Sequence, residues 1–372
     1  MKIAILKEKA HDETRVAITP DVAKSFINAG FEVLLEKDAG IKAGFTNDSY
    51  KESGVQISNI PLEIVSDADI ILKVQPTPPE DKINEIEFAK KGAVIIGLLS
   101  PYTNQFLPQT YAEKGLTAIA MELVPRITKA QTMDALSSQS NLAGYRAVIE
   151  AGYYFKRSIP MFMTSAGTVA AAKVLVLGAG VAGLQAMATA KRLGAVVFGY
   201  DIRAASKEQV ESVGAKFIQI GETNFETKGG YASEVTKEYL KNQEEVLAEY
   251  ASKVDIIIST AQIPGKQAPK LISKAMVASM NPGSVIVDLA TSTGGNIEGS
   301  VKDQVVDLGP ATIIGYSNLA TNIPYDASRL YAKNLYNFIM HAFTDKKLNA
   351  EDEIVSKMLL AHKGKITTTS IG

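Results

Sequence analysis

Lys173-Val174-Leu175-Val176-Leu177 runs without a break into Gly178-Ala179-Gly180-Val181-Ala182-Gly183, and residues 184–193 carry on as a helix. An apolar strand that ends in glycines at this spacing and opens a helix leaves few folds to choose from. Gly178 permits the tight turn. Gly180 lets backbone approach a pyrophosphate at the positive end of the helix, and Gly183 lets helix and strand pack closely. The next strand, residues 196–200, leads to Asp201, about 20 residues past the glycines. An acid there accepts hydrogen bonds from an adenosine ribose and repels a 2′-phosphate, so the pattern points to NAD(H) in preference to NADP(H). Arg203 adds a nearby cation that can accommodate a phosphate, or stack on or edge the adenine. The competing reading is a glycine-rich turn made only for packing.

Strand and helix signals alternate through most of the chain. Residues 2–6 read as a short buried strand. Thr19-Pro20-Asp21 opens a helix, with Thr19 able to cap and Pro20 tolerated at the first position. That helix stops at Gly30, and residues 31–36 form the next strand. Apolar runs follow at 70–74, 94–99 and 117–121, and a second series at 173–177, 196–200, 216–220, 254–259, 284–289 and 312–316. Such alternation implies parallel sheets covered by helices. Residues 132–157 read as a connecting helix through Leu136, Leu142, Tyr145, Val148 and Ile149, and the chain turns helical again after Asp326. The expected fold class is α/β, with two Rossmann-like doubly wound parallel-sheet domains and a nucleotide-binding cleft between them. The first domain is expected to be discontinuous, 1–134 plus 320–372, and the second to span 135–319. The connection from 220 to 254 is too long for a helix alone. Its Gly229-Gly230-Tyr231-Ala232 suggests a mobile loop at about 221–233; the alternative is a solvated insertion with a polar helix over about 233–250. Tyr153-Tyr154-Phe155 is expected to pack between the domains, and the polar tail 363–372 to fray.

Lys and Arg total 39 against 40 Asp and Glu, a net charge of −1, so no basic excess is available to grip nucleic acid. The absence of cysteine excludes a disulfide scaffold, a thiolate metal site and a cysteine nucleophile. The three histidines, His11, His341 and His362, lie outside the crevice motifs and read as surface or packing residues; no metal site is expected. The uncharged run 174–190 falls short of the roughly 20 residues of a membrane span, and its glycines have the better explanation above. The N-terminal apolar run is too short for a secretory signal, and an intracellular soluble chain is expected.

Residues 126–138 read Arg-Ile-Thr-Lys-Ala-Gln-Thr-Met-Asp-Ala-Leu-Ser-Ser, just after the strand that Pro125 breaks. Loops at the carboxyl ends of parallel strands line the ligand crevice. Arg126, Gln131, Asp134 and Ser138 bring a cation, an amide, an acid and a hydroxyl, able to grip a carboxamide and a nicotinamide ribose. The other reading is a solvated loop that caps the next helix.

Met121-Glu122-Leu123-Val124-Pro125-Arg126, Ala130-Gln131-Thr132-Met133-Asp134 and Ser137-Ser138-Gln139-Ser140-Asn141-Leu142-Ala143-Gly144-Tyr145-Arg146-Ala147-Val148 resemble the NAD(H)-binding component of proton-translocating nicotinamide nucleotide transhydrogenase. The likeness extends through residues 176–192, Gly229-Gly230-Tyr231-Ala232, Ile263-Pro264-Gly265-Lys266 and Pro282-Gly283-Ser284-Val285-Ile286-Val287-Asp288-Leu289-Ala290, and so over essentially the whole chain. It implies direct hydride transfer between NAD(H) here and NADP(H) on another polypeptide, coupled to proton movement through spanning subunits. It further implies that Arg126, Gln131 and Asp134 form the catalytic loop at the nicotinamide end, with Ile127, Thr128, Ser138 and Tyr145 nearby. By the same resemblance Gly178, Gly180, Val181, Ala182 and Gly183 take the pyrophosphate turn. Asp201, Ile202 and Arg203 take the adenosine end, and Gly230 and Tyr231 ride on the mobile loop. Gln243 and Gln262 lie near the cofactor, Gln262 standing where an apolar residue is expected. The implied assembly is a homodimer, peripheral on the cytoplasmic face of the inner membrane. Its implied partners are a transhydrogenase membrane subunit, the second piece of a split alpha subunit, and an NADP(H)-binding beta subunit.

Alanine dehydrogenase shares this fold and is the alternative. Arg15, in Glu13-Thr14-Arg15-Val16-Ala17, and Lys73, in Leu72-Lys73-Val74, match its pyruvate-binding positions. Its catalytic histidine and aspartate positions read here Gly97-Leu98-Leu99-Ser100-Pro101 and Ala290-Thr291-Ser292-Thr293-Gly294-Gly295, with Ser292 in the acid's place. Oxidising an amino acid requires a positioned acid or base. Hydride transfer between two nicotinamides requires only closely held rings in a dry site. Arg15 and Lys73 then read as structural ion-pair partners.

Overall fold

The computed structural model describes residues 1–78, 81, 84–221, 236–263 and 265–367. The chain forms two compact units, 1–139 with 320–372, and 140–319. The boundary falls inside the long helix Ala135–Tyr154.

The first unit is built on a sheet ordered Lys365–Ile366, Leu359–His362, Thr117–Ala120, Val94–Gly97, Ile70–Leu72, Lys2–Ile5, Glu32–Glu36, Gln56–Ser58. The six strands from the N-terminal half are parallel, and the two C-terminal ones are antiparallel. Parallel strands need helical crossovers, which cover both faces and leave the strands apolar throughout. Ile3 and Ile5 accordingly sit in one core while Ala4 faces another. The helix Pro324–Ala342 packs Tyr331, Leu335, Phe338 and Ile339 into the first of these cores.

The second unit's sheet is ordered Lys216–Phe217, Val196–Tyr200, Lys173–Leu177, Ile256–Ser259, Ser284–Asp288, Ala311–Ile314, Val305–Leu308. From Lys173–Leu177 the chain steps outward twice and then returns to its other side. The strand order therefore reverses beside Leu177, and in doubly wound sheets the ligand crevice opens at that point, at the carboxyl ends. Val174 and Val176 face one core, Leu175 and Leu177 the other.

Several elements differ from the sequence expectation. Thr19 precedes its helix but caps nothing: its hydroxyl donates to Asp21 at 2.6 Å. The connecting helix starts at Ala135, because residues 128–133 form a tighter 3₁₀ segment first. Gln56–Ser58, Val305–Leu308, the hairpins Phe162–Thr164/Gly167–Val169 and Phe343–Thr344/Lys347–Leu348, and the final strand pair have no counterpart in that expectation. They are short, polar or exposed, so no sustained apolar run announces them. The Tyr153-Tyr154-Phe155 expectation needs correction: Tyr153 is 80% exposed, while Tyr154 and Phe155 pack on the second unit's own core. The expected mobile loop, Gly230 and Tyr231 included, and the last residues of the tail lie outside the described residues apart from Gly221.

Candidate functional site

In the second unit each glycine of the turn has its own physical reason. Gly178 adopts φ 95°, a left-handed conformation that side chains disfavour, and a Cβ there would stand 2.7 Å from Thr260 Oγ1. A Cβ on Gly183 would lie 1.8 Å from the Gly178 carbonyl oxygen, so helix and strand could not approach as they do. Gly180 differs from both: nothing stands within 4 Å of where its Cβ would point. It caps the helix Val181–Arg192, whose first turn holds no acid. Unpaired N–H groups and the helix dipole therefore face open space, a cradle suited to a pyrophosphate. Val181 is exposed and Ala182 half-buried at the same terminus. Thr260 braces the turn, its hydroxyl donating to Leu177 O at 3.1 Å.

Asp201, at the end of the neighbouring strand, reaches into this turn. Its Oδ2 accepts from the Ala179 N–H at 2.7 Å, and Arg203 pairs with both oxygens, Nε to Oδ1 and Nη2 to Oδ2, each at 2.9 Å. Burial pushes the carboxyl upward, but the Arg203 hydrogen bonds and charge, with the Ala179 N–H, outweigh it and hold Asp201 below the usual carboxylate range. Behind the acid the buried Tyr200 hydroxyl meets that of Tyr239 at 2.8 Å and accepts from the Gln243 amide. Gln243 is 7% exposed, so its side chain serves this network. Gln262 is exposed, its amide donating to Leu289 O at 2.8 Å. Ile202 packs partly on the core, and Tyr145 is 40% exposed on its helix.

In the first unit Arg126, Thr128 and Gln131 are exposed after the strand Thr117–Ala120, with Ile127 leaning on the core. Asp134 caps the helix Ala135–Tyr154: its carboxylate accepts from the Ser137 N–H at 2.8 Å and from the Ser137 hydroxyl. Ser138 donates to Asn334 Oδ1 at 2.7 Å. Glu122 sits under the loop after Val94–Gly97, accepting from Leu99 and Ser100 N–H groups. Burial pushes its carboxyl up to about 7, against the opposing pull of those bonds.

Arg15 and Lys73 are buried and paired. Arg15 contacts Glu13 through Nε at 2.8 Å and Nη2 at 2.7 Å, and Lys73 Nζ lies 3.3 Å from Glu8. Tyr331 donates to the Lys73 carbonyl at 2.7 Å. Ser292 is exposed. His11 lies exposed against Asp12, His341 contacts Asp352, and His362 meets Thr117 at the amino end of its sheet. Among the described residues no group of three His, Cys, Asp or Glu side chains is placed to hold a metal ion.

Sequence reasoning missed three supports of the cradle. Gly144 lets the helix Ala135–Tyr154 cross the first turn of Val181–Arg192, where a Cβ would stand 2.1 Å from Ala182 O. Asn296 ties two carboxyl-end loops, accepting from Ser259 Oγ at 2.7 Å and donating to Ala261 O at 2.9 Å and Pro269 O at 2.8 Å. Asp288 holds the Ala290 and Ile297 N–H groups and the Ser300 hydroxyl. No local spacing signals these long-range partners. Only the glycine in a helical run hinted at a close approach.

The family models that match are "Alanine dehydrogenase/PNT, N-terminal domain" over residues 4–143 and "Alanine dehydrogenase/PNT, C-terminal domain" over 147–369. The first of the two alpha-subunit pieces of NAD(P) transhydrogenase from Rickettsia prowazekii (strain Madrid E) is 57% identical, covering 98% of this chain and 96% of the relative. A solved transhydrogenase from Sinorhizobium meliloti superimposes with a TM-score of 0.89 at 45% identity, covering 98% of this chain and 100% of that one. Alanine dehydrogenase 1 of Staphylococcus aureus (strain Mu50 / ATCC 700699) is more distant, 28% identical over 100% of this chain and 96% of the relative.

Proposed function

Because the chain belongs to the alanine dehydrogenase/PNT family, and its nearer relatives named above are transhydrogenases, we propose that it is the NAD(H)-binding component of a proton-translocating transhydrogenase, exchanging hydride directly with NADP(H) held by a partner subunit. What carries the reading is a complete nucleotide cradle, Gly178 to Gly183 with Asp201, on a chain that reads Gly97 to Pro101 and Ser292 where an amino-acid dehydrogenase keeps its proton-transfer groups.

Bound NADH supplies a hydride from its dihydropyridine ring; the chain supplies position. The N–H groups at Gly180 and beyond hold the pyrophosphate, and Asp201, with Ile202 and Arg203, meets the adenosine end. Arg126, Gln131 and Asp134 are assigned to the nicotinamide end, with Ile127, Thr128, Ser138 and Tyr145 beside it. Gly230 and Tyr231 close over the nucleotide, and Gln243 and Gln262 support its surroundings. Asp134 already fixes a helix terminus, so it presents its carboxylate in one orientation.

No helix among the described residues is long and apolar enough to cross a membrane. The reading therefore gives the proton path to partner subunits, the membrane-spanning second piece of the alpha subunit and the NADP(H)-binding beta subunit. It places this chain on the cytoplasmic face of the inner membrane through them. It also takes the chain as a homodimer. The hairpin Phe162–Thr164/Gly167–Val169 supports this, exposing Phe162 by 49%, Met163 by 76% and Val169 by 42% next to Met161 at 59%, an apolar surface that a second copy would cover.

The purified chain, given NADH, pyruvate and ammonia, tests the reading against its alternative. No steady NADH consumption is expected without partners. Sustained turnover of that mixture would make the chain an amino-acid dehydrogenase.

A further inference from the structure

Asp201, the acid on which the adenosine end depends, has every acceptor position taken. Oδ1 accepts from the Arg203 backbone N–H and from Arg203 Nε, both at 2.9 Å. Oδ2 accepts from the Ala179 N–H at 2.7 Å and Arg203 Nη2 at 2.9 Å. A carboxylate offers about four lone-pair positions, so none is left for a ribose hydroxyl while the guanidinium stays. The two backbone donors are fixed by the turn. The guanidinium is the movable occupant, on a flexible stem with its side chain 20% exposed, so a way out to solvent exists.

We infer that Arg203 is a specificity-determining latch: in the empty site its guanidinium fills the Asp201 positions that the ribose hydroxyls need, and NAD(H) binds only when it swings away. This rests on the site being an NAD(H) site and adds the sign of Arg203's contribution. Closed, the pair is nearly neutral and keeps the buried acid ionised and oriented. Opened, it leaves a bare carboxylate facing the incoming ribose. Two hydroxyls can replace the lost donors; a 2′-phosphate cannot, and it meets like charge instead. The latch lowers apparent NAD(H) affinity by the fraction of molecules in which it is open.

Arg203→Met removes the side-chain donors and keeps the stem. NADH and NADPH are titrated at pH 8 into the full-length wild-type chain and R203M, following nicotinamide fluorescence. NADH is expected to bind R203M about fivefold more tightly, with no gain for NADPH. NADH binding that is unchanged or weaker in R203M, while the wild type binds NADH, overturns the latch and leaves the site standing. A wild-type chain that does not bind NADH overturns the site and the latch with it. A second readout needs no variant: in arginine-¹⁵N-labelled wild type, the Arg203 Nε–H is expected to be protected from exchange in the free chain and released when ADP-ribose saturates it. An Nε–H that stays protected at saturation overturns the inference whatever R203M does.

Discussion

At the residue scale, Asp201 and Glu122 are both carboxylates held by backbone N–H groups, yet their titrations move in opposite directions. Asp201 has a guanidinium beside it and stays below the usual range; Glu122 has only N–H donors against its burial and rises to about 7. Asp201→Ala is expected to weaken NADH binding at least tenfold, as losing hydrogen bonds to a charged group worth about 1.5–3 kcal/mol implies, and to narrow the preference over NADPH. Equal affinities for both nucleotides before and after the substitution would refute the adenosine assignment. For Glu122, the folded chain binds more protons than the unfolded one between about pH 4.5 and 7. Its contribution to stability is therefore full below the unfolded pKa and lost as pH rises through the folded one, by roughly 2 kcal/mol. Glu122→Gln should flatten the fall in Tm between pH 5 and 8 relative to wild type, by differential scanning calorimetry; parallel curves would show that the ionised form is not penalised. Asp201 was legible in the sequence because it follows a strand at a fixed interval after the glycines. Glu122 stands in the sequence only as one residue of a longer motif, since nothing local shows that its carboxylate sits beneath the loop at Leu99 and Ser100.

At the scale of elements, the strand, turn and helix from Lys173 to Arg192 could be read directly, because apolar run, glycine spacing and helical continuation agree with one another. What the sequence does not display is what presses against that unit from far along the chain. Gly144 brings one helix onto the backbone of another, with 2.1 Å between a notional Cβ and Ala182 O. Gly144→Ala should cost about 3 kcal/mol, the upper range for forcing an extra carbon into a packed contact, and should weaken NADH binding by displacing the first turn of Val181–Arg192. A chemical-denaturation midpoint and an NADH affinity both equal to those of wild type would show that this crossing is slack. The short antiparallel additions escaped for a different reason. Phe343–Thr344/Lys347–Leu348 turns through Asp345 and Lys346, both at positive φ, where Asn-Gly would have been the recognisable signal.

At the scale of the whole molecule, each unit is a doubly wound sheet buried on both faces, and the alternation that predicted them is carried by nearly continuous apolar strands such as Val174 to Leu177 and Ile256 to Ile258. The exposed hairpin breaks that economy. If a second copy covers it, Phe162→Glu with Met163→Glu should convert a dimer into a monomer in sedimentation while each chain still binds NADH. A wild-type chain that sediments as a monomer would rule out the homodimer. The central claim concerns delivery of hydride to a neighbouring polypeptide. It is tested most directly by mixing the full-length chain, loaded with NADH deuterated at the transferred C4 position, with an NADP(H)-binding transhydrogenase subunit carrying NADP⁺. The expected product is NADPH that holds the deuterium, formed only when both proteins are present. NADPH lacking the label, or no NADPH in the complete mixture, would contradict the claim.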